Sequence, residues 1–193
     1  MVPLEPGQLF LDGVDVTQMP LKTLRRDVAI VPQEGFLFTS TLADNLRYGE
    51  PEASDQRVEM AADQARLADD VKGFPDGFGT IVGERGITLS GGQRQRTALG
   101  RALLMSAPVL VLDDALASVD NNTAAAILDS IRAQDDRTIV MISHQLSAAA
   151  ACDRILVMEN GRIVQQGHHN ALIQQPGVYK RLWDRQQASQ QLD

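Results

Sequence analysis

Two short runs of consecutive apolar residues constrain the fold of this chain more than any other feature. Residues 109–112 read VLVL and residues 139–142 read IVMI, with no alternation between apolar and polar side chains. Such strands are typical of a parallel sheet that is covered on both faces. A segment of helical pattern lies between them, from about Asn122 to Ala133. The sequence therefore predicts an α/β fold around a buried parallel sheet.

The remaining segments predict hairpins near both ends of the chain and helices between them. Asp12-Gly13 and Asn160-Gly161 are typical two-residue hairpin turns. A third apolar strand, VAIV, ends at Pro32. The predicted helical segments are 20–27, 41–105 with breaks near 49–51 and 73–86, 148–152, 170–174 and 178–187.

Composition excludes several classes of function. The formal charge of −7 and the aromatic content of 4% argue against a nucleic-acid-binding protein. Cys152 is the single cysteine, so no internal disulfide can form. No window approaches the roughly 20 apolar residues that a membrane helix needs. Any contact with a membrane is therefore expected to pass through a partner.

Polar residues follow both apolar runs, where ligands of parallel sheets bind. Asp113 and Asp114 follow the first run, and Ser143 and His144 follow the second. An acid at the end of a buried strand commonly holds Mg²⁺, and a second carboxylate can orient a water or take its proton. Two acids that merely cap the next turn would give the same pattern, so Asp-Asp alone leaves both interpretations open.

A second candidate site begins a predicted helix in the segment LSGGQRQR, residues 89–96. Ser90 can cap this helix, and Gly91 and Gly92 let backbone N–H groups approach an anion at the positive helix end. A serine-glycine cap without a ligand is the alternative. The complete LSGGQ, its helix and a strand ending in Asp-Asp about twenty residues later are harder to reach by chance.

With these motifs the sequence resembles the nucleotide-binding domain of ATP-binding cassette (ABC) transporters, whose signature is LSGGQ. The resemblance covers essentially all of residues 1–193. It implies an α/β, RecA-like P-loop NTPase core of the ABC ATPase type, with an N-terminal β-hairpin and an inserted α-helical subdomain at about 41–105. It also implies ATP and Mg²⁺ as cofactors and an ATPase activity coupled to transport.

The resemblance assigns roles to residues that match the family motifs in order. Asp113 matches the metal-binding aspartate, and Gln33 matches the glutamine that reaches Mg²⁺ or its water. Asp114 stands at the catalytic base, and His144 at the histidine that contacts the terminal phosphate. Asp120 ends the segment ASVD, which crosses a dimer interface in the family. The residues expected to bind nucleotide are Ser90, Gly91, Gly92, Gln93, Gln33, His144 and Asp120.

Two further segments resemble exporters rather than importers. These are GERG at 83–86 and FLFTSTLADNLRYG at 36–49. Within the second, Phe36, Leu37 and Phe38 either belong to the core or form the socket for a transmembrane domain. The resemblance implies efflux of a multidrug- or lipid-like substrate at the cytoplasmic face of the cell (inner) membrane, with membrane contact only through the transmembrane domain.

The phosphate-cradling P-loop, G-x-x-x-x-G-K-[ST], is absent from the sequence. The three lysines are Lys22, Lys72 and Lys180, and none follows such a glycine pattern. Since the P-loop precedes the hairpin at Gln8 in the family, we expect this chain to be the later part of a longer protein. Alone it is expected to bind Mg-ATP poorly.

Asp114 stands where the family has Glu, which draws the carboxylate back by about 1.3 Å and weakens the base. We therefore expect a head-to-tail heterodimer of nucleotide-binding domains with unequal ATP sites. An alternative is a non-hydrolytic partner that completes another subunit's ATP site through its LSGGQ. A soluble ABC ATPase of DNA repair or translation would show a long coiled-coil insert or a basic face, and the sequence has neither.

Overall fold

A computed structural model describes residues 4–83, 87–133 and 137–190. In chain order the strands are β1 (Phe10–Leu11), β2 (Val14–Asp15), β3 (Val28–Val31), β4 (Ser40–Thr41), β5 (Ile81–Val82), β6 (Val109–Asp113), β7 (Thr138–Ile142), β8 (Ile155–Glu159) and β9 (Arg162–Gly167). The helices are α1 (Leu21–Asp27), α2 (Leu42–Arg47), α3 (Asp55–Gln64), α4 (Ala68–Lys72), α5 (Gly91–Leu104), α6 (Asn121–Arg132), α7 (Leu146–Ala150), α8 (His169–Leu172) and α9 (Val178–Gln190).

A three-stranded parallel sheet of order β3-β6-β7 forms the centre of the fold. Val31 pairs with Leu112, and Asp113 pairs with Ile142, so the three strands end at the same edge. Strands β6 and β7 are parallel because α6 carries the chain back between them. The predicted α/β class and the predicted parallel sheet are confirmed.

The predicted coverage of both sheet faces is wrong for the described residues. Helices α5 and α6 pack on one face, where Leu110, Leu112 and Val31 are fully buried. On the other face Ile30 is 61% exposed and Ile142 is 53% exposed. Consecutive apolar residues indicated burial on both faces, but among the described elements only one face receives helices. We call the other face the open face.

The two predicted hairpins are present. Asp12 and Gly13 have φ of 48° and 80°, and Asn160 and Gly161 have φ of 49° and 74°. Positive φ at both central residues gives the turn the twist that the flanking strands need. These turns join β1 to β2 and β8 to β9.

The segment predicted as helical between 41 and 105 also contains a small sheet. Strands β4 and β5 pair antiparallel, with Thr41 opposite Ile81. The sequence did not indicate this pair because each strand is only two residues long. A separate core lies among these elements and α2 to α5, and its fully buried members include Leu42, Leu46 and Leu67.

Short polar side chains begin four of the helices, α2, α3, α5 and α6. Thr41, Ser54, Ser90 and Asp120 each accept a hydrogen bond from a backbone N–H in the first turn of the helix that follows. Each bond satisfies one of the unpaired donors at a helix start. The start of α5, and with it the LSGGQ segment, is therefore fixed by local hydrogen bonding.

The C-terminal helices pack against the second hairpin rather than extending away from it. Tyr179 of α9 is buried against β8 and α8, and its hydroxyl pairs with Nδ1 of His169 at 2.9 Å. Burial raises the pKa of Tyr179. Across the described ranges, every helix is too short or too polar to span a bilayer.

Candidate functional site

The sheet brings three of the expected site residues to one edge. Gln33 follows β3, Asp113 ends β6, and His144 follows β7. Gln33 and His144 each lie two residues beyond the last paired residue of their strand, and both side chains are exposed. Asp113 is half-buried and lies on the open face of the sheet. Their common position follows from the parallel register, since carboxyl ends of parallel strands meet at the same edge.

Asp114 leaves the sheet in a strained backbone conformation. Its φ is 47°, the left-handed region that few residues other than glycine, Asn and Asp adopt readily. Its N–H donates to the carbonyl oxygen of Ile142 at 2.9 Å, and its carbonyl accepts from the N–H of Ala117. These bonds hold the turn after β6 against the end of β7, beside Asp113.

The LSGGQ segment forms a capping box at the start of α5. Ser90 Oγ accepts from the N–H of Gln93 at 3.2 Å, and Gln93 Oε1 accepts from the N–H of Ser90 at 2.9 Å. Gln93 Nε2 also donates to Asp70 of α4 at 2.9 Å. Both ends of the Gln93 amide therefore have partners within this chain, and Gly91 and Gly92, both half-buried, lie between Ser90 and Gln93 in the first turn.

The segment between β6 and α6 lies directly against this helix start. A Cβ on Gly92 would lie 2.9 Å from the carbonyl oxygen of Ser118, and one on Gly91 would lie 3.6 Å from Ser118 Oγ. Glycine at position 92 is thus required for close approach of the two backbones. Two of the expected nucleotide-binding segments, LSGGQ and 117–120, form one surface.

Asp120 at the end of that segment caps α6. Its Oδ1 accepts from the backbone N–H of Thr123 at 3.0 Å. The backbone and side-chain hydrogen bonds from Thr123 lower the pKa of Asp120, although the carboxylate is exposed. The side chain thus has a structural partner within its own helix, in addition to the nucleotide role expected from the sequence.

The side-chain oxygens at this edge of the sheet suit a hard cation such as Mg²⁺, which takes most of its ligands from water and substrate. Among the described residues, no three His, Cys, Asp or Glu side chains cluster as a complete metal site. Mg²⁺ usually takes only one or two carboxylates from the protein and completes its shell with water and substrate phosphates. The Asp113 carboxylate and the Gln33 amide oxygen, at the ends of neighbouring strands, fit that role.

A separate aromatic surface lies on the helical side of the molecule. Phe36 is 63% exposed and meets Phe38 edge to face, with ring centroids 4.9 Å apart. Phe38 stacks on Tyr48 at 4.4 Å, and the guanidinium of Arg101 lies over both of these rings. Burial lowers the pKa of Arg101. We call Phe36, Phe38 and Tyr48 the aromatic surface.

Leu37 points the other way and packs on the helical core. Within the run 36–38, Leu37 therefore belongs to the core, whereas Phe36 is exposed. The sequence analysis missed Tyr48 and Arg101, although both lie in segments that it singled out. Of GERG, only Gly83 is described, and positions 84–86 lie outside the described residues.

Sequence reasoning also missed Gln95, which is 6% exposed on α5. Its Nε2 donates to the carbonyl oxygen of Gln33 at 3.2 Å, and its Oε1 accepts from the N–H of Ser118 at 2.9 Å. The available signal was a glutamine on the inner side of an amphipathic helix, where an amide needs buried partners.

Comparisons with known proteins agree with this architecture. The family model described as ABC transporter matches residues 1–117. The chain is 42% identical over 188 residues to the ATP-dependent lipid A-core flippase of Chromobacterium violaceum, covering 97% of this chain and 32% of that protein. It is 39% identical over 189 residues to human ATP-binding cassette sub-family B member 6, covering 97% of this chain and 22% of that protein.

A solved structure of a bacterial Atm1-family ABC exporter with ATP bound superimposes with a TM-score of 0.88. The sequences are 40% identical, and the match covers 92% of this chain and 31% of that one. The chain thus spans about a fifth to a third of the length of these relatives. The family model and the relatives together establish that this chain belongs to the ABC transporter family.

Proposed function

We propose that this chain is the nucleotide-binding part of an ABC exporter, in which ATP binding and hydrolysis drive efflux of a substrate. The observation that carries the proposal is the common edge of the sheet, where Gln33, Asp113, Asp114 and His144 meet. The surface formed by LSGGQ and the segment 117–120 would add a second nucleotide contact.

The proposal includes the organisation of the domain. Strands β3, β6 and β7 with α6 belong to a RecA-like core of the ABC ATPase type, and residues of about 41–105 form an inserted helical subdomain whose last helix, α5, also packs on the sheet. The separate hydrophobic core of that region supports this division. The domain as proposed spans residues 1–193.

Each site residue has one proposed task. Asp113 and Gln33 hold Mg²⁺, which shields the charge of the ATP phosphates when it is bound. Asp114 accepts a proton from the attacking water, and His144 donates a hydrogen bond toward the terminal phosphate. Their placement on strand ends keeps the groups rigid, as a preorganised site requires.

We further propose that two such domains enclose ATP head to tail. In that arrangement Asp113 and Asp114 serve the ATP of their own domain. The LSGGQ segment and Asp120 contact the ATP of the partner. The start of α5 at the exposed Ser90 carries the positive end of the helix dipole and is suited to a phosphate that arrives from another chain.

The second proposed partner is a transmembrane domain that docks on the aromatic surface. An exposed apolar patch usually marks an interaction site, and Phe36 is the most exposed member of this one. This chain then lies on the cytoplasmic face of the cell (inner) membrane, which it contacts only through that domain. A lipid-like substrate is favoured because one relative is named a lipid A-core flippase.

The test uses the complete transporter that contains this sequence, purified and placed in liposomes. We expect ATP-dependent movement of a fluorescent lipid and measurable ATP hydrolysis. Asp113→Asn should abolish both, because it removes the only charge that this proposal gives to the metal. Asp129→Asn, on the exposed side of α6, is the matched control and should leave both unchanged. Normal hydrolysis in Asp113→Asn would contradict the proposal.

The second candidate is a non-hydrolytic partner that completes another subunit's site, and the shortened base at Asp114 favours it. In a heterodimer with a Glu-bearing partner, Asp114→Ala should reduce hydrolysis only modestly, whereas replacing the partner's Glu should abolish it. Loss of turnover in Asp114→Ala, or full activity as a homodimer, would contradict unequal sites.

A further inference from the structure

Gln95 occupies an unusual place for a polar side chain. It is the fifth residue of α5, lies two residues beyond LSGGQ and is 6% exposed. A buried amide is costly unless its donor and its acceptor both find partners. The residues that bond the Gln95 amide therefore indicate why a polar side chain stands at this buried position.

Both partners come from loops of the ATP site rather than from the helical core. Nε2 donates to the carbonyl oxygen of Gln33, which follows β3, and Oε1 accepts from the N–H of Ser118, which follows β6. One loop offers only an acceptor and the other only a donor, so the amide has one orientation that satisfies both.

The backbones of the same two loops press on the same turns of α5. A Cβ on Gly35 would lie 2.7 Å from the carbonyl oxygen of Arg94, and one on Gly92 would lie 2.9 Å from that of Ser118. A residue larger than glycine at position 35 or 92 would therefore collide with the backbone that faces it. Gln95 lies between two contacts that are already close.

We propose that Gln95 is a positioning residue that makes the loop at Gln33 and the segment 117–120 move together with α5. The inference rests on the proposed function. There, Gln33 serves the ATP of its own domain, while 117–120 and LSGGQ face the ATP of the partner. A single buried side chain then links the two ATP sites of the dimer.

The physical basis is the cost of breaking either bond. When ATP draws the loop at Gln33 toward the metal, Gln95 Nε2 either follows it or is left buried without an acceptor. Because the same amide holds Ser118, a shift of one loop biases the other. Coupling of this kind needs contacts that differ between two states, and this amide supplies them.

The variants separate the two hydrogen bonds. Gln95→Met keeps the length of the side chain and removes both bonds. Gln95→Glu keeps an acceptor for Ser118 but places an oxygen against the carbonyl of Gln33. Thr97→Val is the matched control, because Thr97 is fully buried on the same helix and its hydroxyl donates to the carbonyl oxygen of Gln93, away from both loops.

Hydrogen exchange in the complete transporter tests the link directly, with ATP analogues that do not hydrolyse and Mg²⁺ as the probe. In the wild type and in Thr97→Val, the analogue should slow exchange in both 33–38 and 115–120. In Gln95→Met it should slow exchange in 33–38 alone. At saturating ATP, kcat should fall about tenfold or more with little change in KM, since a misplacement of about 1 Å can cost on the order of a hundredfold.

Gln95→Glu breaks the bond to Gln33 and keeps that to Ser118, so the link is interrupted and the analogue should again slow exchange in 33–38 alone. Exchange and kcat in Gln95→Met that match Thr97→Val would overturn the inference and leave the proposed function intact. A wild-type transporter that shows neither ATP hydrolysis nor slowed exchange would overturn the proposed function itself.

Discussion

At the scale of single residues, Asp114 is the residue whose length should limit the rate if it acts as the proposed base. Its backbone is fixed by two hydrogen bonds and a φ of 47°, so its carboxylate cannot advance by a shift of the main chain. The position of the base is then set by side-chain length alone. A side chain longer by one methylene reaches about 1.3 Å further, a distance that matters for proton transfer.

In the complete transporter with the partner's base removed, we therefore expect Asp114→Glu to raise kcat by up to about a hundredfold, with KM for ATP little changed. Steady-state hydrolysis measures this. Asp129→Glu, an exposed acid on α6, is the control. An unchanged kcat in Asp114→Glu would mean that base length does not limit turnover.

A second prediction at this scale concerns Gly92→Ala, in which helix propensity and steric contact change the stability in opposite directions. Helix propensity alone makes Gly→Ala stabilising by up to about 1 kcal/mol. At position 92 the new Cβ would lie 2.9 Å from the Ser118 carbonyl oxygen, whereas at 91 the nearest atom is a side-chain oxygen at 3.6 Å. Thermal unfolding of this chain should show a lower Tm for Gly92→Ala and an equal or higher Tm for Gly91→Ala. Equal shifts in both variants would contradict the close approach.

At the scale of elements, the sequence predicted the positions of the expected site residues better than the contacts that support them. Strand ends and the LSGGQ helix start carry local signals, namely apolar runs and capping residues, so Asp113, His144 and Ser90 could be placed in advance. The β4–β5 pair, the partners of Gln95 and the rings around Arg101 depend on residues far apart in sequence. No local pattern specifies such contacts, and these were missed.

The aromatic surface gives the prediction that belongs to this scale. Phe36 is exposed, whereas Phe38 stacks on Tyr48 and beneath Arg101. Phe36→Ser should therefore uncouple transport from hydrolysis while leaving Tm nearly unchanged. Phe38→Ser should also lower stability by about 1 kcal/mol, the usual worth of an aromatic pair.

Transport and hydrolysis measured together in liposomes test this, with Met60→Ser as the control for loss of an exposed apolar side chain elsewhere. If Phe36→Ser transports like Met60→Ser, the aromatic surface is not the docking site. If Phe36→Ser instead lowers Tm strongly, Phe36 belongs to the core after all.

At the scale of the whole molecule, the arrangement of site residues and the binding of nucleotide are separate properties. The parallel strands bring Gln33, Asp113 and His144 to one edge, yet the sequence contains no G-x-x-x-x-G-K-[ST] segment to cradle phosphates. Most of the binding energy for triphosphate comes from such backbone N–H groups and their lysine. We expect this chain alone to show no micromolar binding of Mg-ATP by titration calorimetry. A relative's domain that contains the P-loop is the positive control, and micromolar binding by this chain would contradict the expectation.

The open face also explains where prediction from the sequence failed at this scale. Burial of consecutive apolar residues was predicted correctly for the face under α5 and α6 and wrongly for the face that carries Ile30 and Ile142. A run of apolar residues shows that both faces are suited to burial. It does not show that the same chain supplies both coverings.

Strand β7 pairs with β6 alone among the described strands, so its outer edge offers backbone groups to another chain. Its residues, TIVMI, include no charge and no proline, and Val140 and Ile142 are exposed. Segments of this composition favour cross-β stacking between molecules. Concentrated solutions of this chain should therefore form fibrillar aggregates that bind thioflavin T, and Val140→Lys should slow their growth because a charge at the strand edge opposes self-association.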